Sequence, residues 1–264
     1  MVQLMSFSTL TLLHAEQTAT ITLNRPEKRN AISGEMIQDL LNALDECAAS
    51  AARVVILTGA GKAFCSGMDL ESLKAIAQQT PAENTADSQR MAAMFRRLYD
   101  FPKPIIAAVN GPAIAGGCGI ATLCDFTLAV PEAKFGYTEV RIGFIPALVS
   151  VFLRRQIGEK QARDLLLTGR IFDAEEARRL GLINAIVPQE KLMDAARELA
   201  ASLLENSPTS LLRTKALLSQ CAKDQLDREI LWAVQENATI RSTDDFREGV
   251  TSFLEKRKPV WRGK

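Results

Sequence analysis

Residues 103–119, KPIIAAVNGPAIAGGCG, decide how this chain folds. Ile105 to Val109 form a short, wholly apolar run, the pattern of a strand buried on both faces. Asn110-Gly111-Pro112 turns the chain, and AIAGGCGIATLC reads as a glycine-rich approach to a helix. The same arrangement occurs upstream. There the buried strand at residues 54–57 runs through the loop Thr58-Gly59-Ala60-Gly61 into KAFCSGMDL, residues 62–70. Glycines at such junctions let a ligand approach the main chain closely. Free N–H groups at a helix start favour an anion or a developing oxyanion. Taken singly, each stretch reads as a tight turn needing positive φ. Two donor-rich loops, each after an apolar strand, form a constellation.

Outward from these loops, the rest of the chain reads as α/β. Residues 7–13 and 18–23 alternate apolar with polar around Ala15-Glu16-Gln17, the signature of a hairpin that Asn24-Arg25-Pro26 ends. Ser33 is placed to cap a helix whose Ile37, Leu40, Leu41 and Leu44 share one face. Residues 78–88, QQTPAENTADS, are polar enough to predict a mobile segment that could line a site or bring in an acid. A helix carrying Met91, Met94, Phe95 and Leu98 follows, stopped by Pro102 and Pro104, and further strands are expected at residues 126–130 and 183–187. Beyond Pro188 the pattern is helical, with starts expected near Gln189, Pro208, Asp224 and Thr243 and an end before Pro259. Short apolar strands between helices imply crossover connections and a largely parallel sheet. The expected division is an α/β core at residues 1–200 and a helical region at 201–264 that packs on another subunit.

Composition narrows the function. The chain has 264 residues, 47% of them apolar and 24% charged, as in an ordinary globular protein. A net charge of +1 gives no pull toward nucleic acid or an anionic membrane, so neither is an expected partner. Five scattered cysteines without a CxxC pair suit a reduced, cytoplasmic setting better than a disulfide framework or a zinc site. The opening MVQLMSFSTLTLLHAE lacks the basic start and long apolar run of a signal peptide. His14 is the one histidine, and it falls on an early strand. A histidine-activated nucleophile or a histidine-rich metal site is therefore not expected.

Six ordered segments carry a resemblance to a known family: NRPEKRNA (24–31), KAFCSGMDL (62–70), KPIIAAVNGPAIAGGCG (103–119), CDFTLAVPEAKFGYTEVRIGFIP (124–146), LLTGRIFDAEEARRLGLINAIVP (166–188) and FLEKRKP (253–259). The chain resembles the crotonase superfamily of enoyl-CoA hydratases and isomerases. That resemblance implies a crotonase-like spiral of ββα units with a C-terminal helical trimerisation region, the trimers often paired into hexamers. It implies an acyl-CoA thioester as the partner, with coenzyme A part of the substrate and no separate cofactor. By motif position, the thioester carbonyl would lie between the backbone N–H groups of Met68 and Gly116. Removing a proton beside a thioester puts negative charge on that oxygen, and aimed amides stabilise it by about 3 kcal/mol each.

The resemblance also places the acids. The family's hydratases hold one water between two glutamates; Glu139, in FGYTE, fills the second position, and Gly119 stands at the first. One carboxylate suffices to move a proton from Cα to Cγ, as in the family's isomerases. Two are the hydratase arrangement. Ala147-Leu148, where many hydratases carry glycines, implies an altered acyl wall. Lys28, Lys62 and Lys256 are candidates for the CoA phosphates, and Ala63, Phe64, Gly67, Gly117 and Phe253 for contacts along the CoA part of the substrate. Asp69 and Asp125 read as structural aspartates, and Cys65 and Cys118 as small buried residues. The competing expectations are a silent acyl-CoA-binding paralogue, and a thioester hydrolase or decarboxylase using the same oxyanion site.

Overall fold

A computed structural model describes residues 2–263. The chain opens with an antiparallel meander of β1 (Val2–Ser6), β2 (Leu10–Ala15) and β3 (Thr18–Leu23). The last two are the expected hairpin. Nothing in the side-chain pattern announces β1, because it lies at the sheet edge with most of its side chains exposed. Next comes α1 (Gly34–Ala49), where Ser33 accepts a hydrogen bond from the Met36 N–H at 3.2 Å as its cap role requires. Ile37, Leu40 and Leu44 of that helix are buried and Leu41 is half-buried.

From β4 (Val54–Gly59) onward the chain winds as a spiral. After α2 (Leu70–Ile76) and α3 (Pro81–Tyr99), β5 (Ile105–Val109) joins the large sheet and β6 (Ala113–Ile114) enters a small one. Following α4 (Gly116–Leu123), β7 (Phe126–Ala129) and β8 (Lys134–Gly136) repeat that alternation. Beyond α5 (Ala147–Thr168) come β9 (Ile171–Asp173), α6 (Ala174–Arg179), β10 (Ala185–Ile186) and α7 (Leu192–Leu204). The seven-stranded sheet runs β1-β2-β3-β4-β5-β7-β10, parallel from β3 on, and the three-stranded sheet runs β6-β8-β9. Every residue of β4 and β5 is buried. Full burial of such Val, Ile and Leu side chains is worth about 1.5–3 kcal/mol each, so these two strands anchor the core from which both glycine loops depart.

The structure corrects two expectations. Residues 81–88 are helix, leaving only 78–80 as connection: Thr80 and Glu83 form a capping box at the start of α3, and Asn84 and Ser88 are buried. Ser88 Oγ donates to the Val234 carbonyl at 3.2 Å, so polarity here marks a helix contact, not mobility. No helix starts at Asp224 either, since α8 (Pro208–Thr239) runs through it as one element. The charges there sit at helical spacing, with Lys223 and Asp227 paired at 2.8 Å. By contrast, α5 is broken at Gly158, where φ is 76°. The last helix, α9 (Asp244–Leu254), is capped by Thr243 as expected. Among the described residues no helix is long and apolar enough to cross a membrane.

Candidate active site

The two glycine loops meet because glycine allows them to. A bridge pairs Cys65 with Ala113, and Ile114 N donates to the Cys65 carbonyl at 2.9 Å. A Cβ at Gly117 would overlap the Cys65 carbonyl, so that residue is needed for α4 to start against the upstream loop. Gly67 holds φ +90°, a conformation costly for other residues. On either side of Met68 the main chain is tied down: Ile32 N donates to the Gly67 carbonyl at 2.7 Å and Asp69 N to the Ile32 carbonyl at 2.9 Å. The same pairing leaves the Met68 N–H facing away from Ile32 without a main-chain acceptor among the described residues.

Gly116 opens α4, so its amide is one of the helix's orphan donors. The residue that aims it is Ala115, held at φ 52° and ψ −125° and fixed by its N–H donating to the Gly136 carbonyl at 2.6 Å. A non-glycine residue there carries roughly 1–3 kcal/mol of backbone strain. That strain sits beside a free amide.

Glu139 begins a 3₁₀ turn, Glu139–Ile142, carried on the chain leaving β8. It is 8% exposed, and its Oε2 has no hydrogen-bond partner. Burial pushes its carboxyl up from 4.5 to about 7, against a smaller opposing pull from its own backbone N–H. The turn is pressed into place by α9: a Cβ at Gly249 would overlap the Ile142 carbonyl, and one at Gly143 the Asp245 carbonyl. Gly143 also sits at φ +66°, closing the turn.

Met68, Gly116 and Glu139 line one cavity of about 720 Å³. Its buried wall is mostly apolar and includes Met91, Phe95, Phe144, Leu148 and Val149, while Lys28, Arg29 and Lys256 lie on its rim beside the exposed carboxylates Glu27 and Glu71. Phe253, half-exposed, lies on the same rim. Lys62, Ala63, Phe64, Gly67 and Gly117 do not line it. Lys62 is exposed, whereas Ala63 and Phe64 are buried with main-chain groups engaged inside the protein. Gly67 and Gly117 shape the loops from behind. Among the rim cations, Lys28 is already paired with Glu71 at 2.9 Å.

The remaining candidates have local explanations. Asp69 caps α2 through the Glu71 N–H and pairs with Arg25 at 2.9 Å. Its carboxyl is held below the ordinary value because these bonds outweigh its desolvation. Asp125 accepts from the Ile105 N–H at 2.7 Å and pairs with Lys215, tying a loop to β5. Burial pushes the thiols of Cys65 and Cys118 up to about 12, which rules against a thiolate nucleophile. Two buried cavity residues, Asn237 and Arg241, escaped sequence reasoning, since a polar residue in an amphipathic tail normally faces solvent.

A family model described as enoyl-CoA hydratase/isomerase matches residues 14–264. The chain belongs to that family. A Thermus thermophilus protein provisionally named an enoyl-CoA hydratase is 48% identical over 242 residues, 91% of this chain and 96% of its own. The short-chain-enoyl-CoA hydratase of Clostridium acetobutylicum is 33% identical over 249 residues, 92% of this chain and 93% of its own. In three dimensions, an enoyl-CoA hydratase/isomerase from Xanthobacter autotrophicus superposes with a TM-score of 0.87 at 29% identity, covering 96% of this chain and 98% of that one. The fold is therefore the crotonase fold, and this member of the enoyl-CoA hydratase/isomerase family is an enzyme.

Proposed function

We propose that this enzyme forms a thioester enolate and moves one proton on it with Glu139, shifting a double bond between the 3- and 2-positions of an enoyl-CoA. One observation carries the reading. A buried carboxylate with an unpartnered oxygen shares its cavity with two free backbone amides, and the place of a second catalytic acid is filled by hydrocarbon. A Cβ at Gly119 would lie 2.6 Å from Val149 Cγ1 and 3.1 Å from Phe95 Cε1. The other carboxylates on the cavity are Glu27, Asp69 and Glu71. Glu27 is exposed, and the other two are engaged by Arg25 and Lys28.

In this mechanism the thioester oxygen accepts from the Met68 and Gly116 amides. Glu139 removes a proton from Cα of a 3-enoyl-CoA, the electrons delocalise onto the carbonyl oxygen, and the same proton returns at Cγ to give the 2-enoyl-CoA. A base near pKa 7 is matched to both halves of that transfer. Hydration is the second reading, favoured by the hydratase names of the relatives and by the free Glu139 Oε2, which offers a site for water. Assays of 3-hexenoyl-CoA isomerisation and crotonyl-CoA hydration separate the two. The first reading expects the shift to be faster by at least about tenfold, and a hydration rate above the isomerisation rate defeats it.

Introducing the absent acid should not create a hydratase. Gly119→Glu is expected to destabilise the protein by about 1–3 kcal/mol, because stiff Val149 and Phe95 must move, and to leave crotonyl-CoA hydration no higher than before. Urea denaturation with a hydration assay checks both, and a gain in hydration would show that the wall yields.

The substrate is read as an acyl-CoA thioester, with Lys28 and Lys256 on the rim meeting the CoA phosphates and no separate cofactor. A trimer or hexamer is the proposed assembly. Leu231 and Trp232 on α8, together with Leu167 and Ile171, are exposed apolar residues that suit subunit contacts. Four buried free thiols and one exposed one suit a cytoplasmic setting.

A further inference from the structure

The segment NRPEKRNA supplies no reacting group to the chemistry proposed above, yet with the Ile32 that follows it is lashed to the loop carrying the Met68 amide. Ser66 N donates to the Arg29 carbonyl at 3.1 Å, and Ile32 makes the two main-chain bonds that flank Met68. The segment is itself bent sharply, with Arg29 at φ 52° and Asn30 at φ 54°, neither of them glycine. Such a shape persists only where its surroundings over-determine it. Asn30, fully buried, does so from within. Its Oδ1 accepts from the Arg25 N–H at 2.8 Å, and its Nδ2 donates to the carbonyls of Ala60 and Ala63, both at 2.9 Å.

Arg25 then spans the joint. Its Nη1 donates to the Ala31 carbonyl at 2.9 Å on one side, and its Nη2 to Asp69 Oδ2 at 2.9 Å on the other. These acceptors belong to the residues adjoining Ile32 and Met68, the pair whose bridge turns the Met68 N–H away from Ile32. Asp69 is 3% exposed, and its other oxygen accepts from the Glu71 N–H to cap α2. Capping needs only that one oxygen, and a serine or threonine would provide it without burying a charge. Nor is stability a sufficient reason for the pair, since apolar side chains of the same volume often hold a core as well as a buried ion pair does. What a planar guanidinium adds is geometry: two donors at a fixed spacing, each gripping a different segment.

We infer that Arg25 and Asp69 are positioning residues of the reaction: their ion pair braces the Ile32–Met68 bridge and so holds the Met68 amide on the thioester oxygen. The inference rests on the oxyanion reading above and extends it to two side chains that act only through the main chain. Neither moves the proton or meets the carbonyl. Without the brace the bridge keeps its two main-chain bonds, so the loop stays folded, but the peptide between Gly67 and Met68 is freer to tilt. An amide that must be turned toward the oxyanion at each turnover loses the advantage of being fixed in advance.

The test reads the amide through the carbonyl it polarises. Hexanoyl-CoA, isotopically labelled at its carbonyl carbon, is bound at saturation to the full-length enzyme, and difference infrared spectra locate the thioester stretch. Kinetics are measured on whichever of 3-hexenoyl-CoA and crotonyl-CoA is turned over. In wild type the band is expected to move below its position in water. Asp69→Asn keeps the cap oxygen but loses the charge, and Arg25→Met loses both arms. In each, much of that displacement should vanish, and kcat should fall by roughly 10–100-fold with KM little changed. Arg25→Lys retains the charge without spanning both acceptors and should fall between. Asp125→Asn is the control, because that aspartate also joins a lysine to a main-chain N–H but its partners lie on neither loop, and the band should stay in place. A folded Arg25→Met or Asp69→Asn enzyme with wild-type kcat and band overturns the inference. So does a rise in KM with kcat and band intact, which would make the pair a support for Lys28, 3.9 Å from Asp69. Should both of these variants fail to fold, Arg25→Lys decides by the same signs. If the wild-type band does not move on binding, the oxyanion reading falls and the brace with it, whereas a displaced band that the variants share sinks the brace alone.

Discussion

Glu139→Gln is expected to slow proton transfer on an enoyl-CoA by roughly 10²–10⁴-fold while making the folded protein more stable at alkaline pH. The two effects share a cause. Glutamine keeps the shape of the side chain but cannot take a proton, so the chemistry is lost. In the wild type, kcat/KM should rise with pH through about 7 and level off above it, because only the ionised carboxylate is a base.

Stability runs the other way. A carboxyl whose folded pKa is raised prefers its neutral form in the native state. Its penalty is absent below the unfolded value of 4.5, grows between 4.5 and about 7, and is constant above. An upward displacement of this size corresponds to on the order of 3 kcal/mol, which glutamine would relieve at pH 8 and not at pH 4.5. Urea denaturation at pH 8 and pH 5 should show a gain that shrinks as the pH falls. Unchanged activity in the variant, or a rate flat from pH 5 to 9 in the wild type, would remove Glu139 from the mechanism.

Gly249→Ala should be nearly as damaging to activity, although no atom of Gly249 lines the cavity. The new Cβ would overlap the Ile142 carbonyl, and neither backbone can yield without moving the turn that begins at Glu139. A stability loss of about 1–3 kcal/mol is expected from overpacking. A catalytic loss near 10²-fold is expected if the carboxylate shifts by about 1 Å. Gly34→Ala is the control, since nothing lies within 4 Å of a Cβ there and the change should leave stability unchanged or slightly raised. Circular-dichroism melts with steady-state kinetics on both variants check the contrast. A Gly249→Ala enzyme with full kcat would mean that α9 does not position the base.

How much of this was legible before the structure depends on which force placed each residue. Strands β4 and β5 and helix α1 were readable because burial alone imposes their apolar spacing, and Ser33 announces its cap. The loops around Met68 and Gly116 were readable as glycine-rich turns, but not the fact that Gly117 is small so that α4 can touch the Cys65 carbonyl. That contact joins residues far apart in sequence. Residues 78–88 were misread because polarity usually means solvent, whereas Asn84 and Ser88 are buried against the C-terminal helices through Arg241 and Val234. The buried network of Arg241 left no local signal, since each member is an ordinary polar residue until the tail folds back over α3. The hydrocarbon that walls off Gly119 comes from α3 and α5, and no spacing rule brings Phe95 and Val149 to one point.

Ala115 illustrates when an enzyme does its hardest work. Its main chain is bent into an unfavourable shape whether or not a thioester is present, and the N–H of the next residue is left as the first unpaired donor of α4. In the mechanism proposed above, the orientational work of solvating an enolate is therefore completed while the chain folds, once in the life of the molecule. Water would have to reorganise afresh for every substrate, and this amide does not.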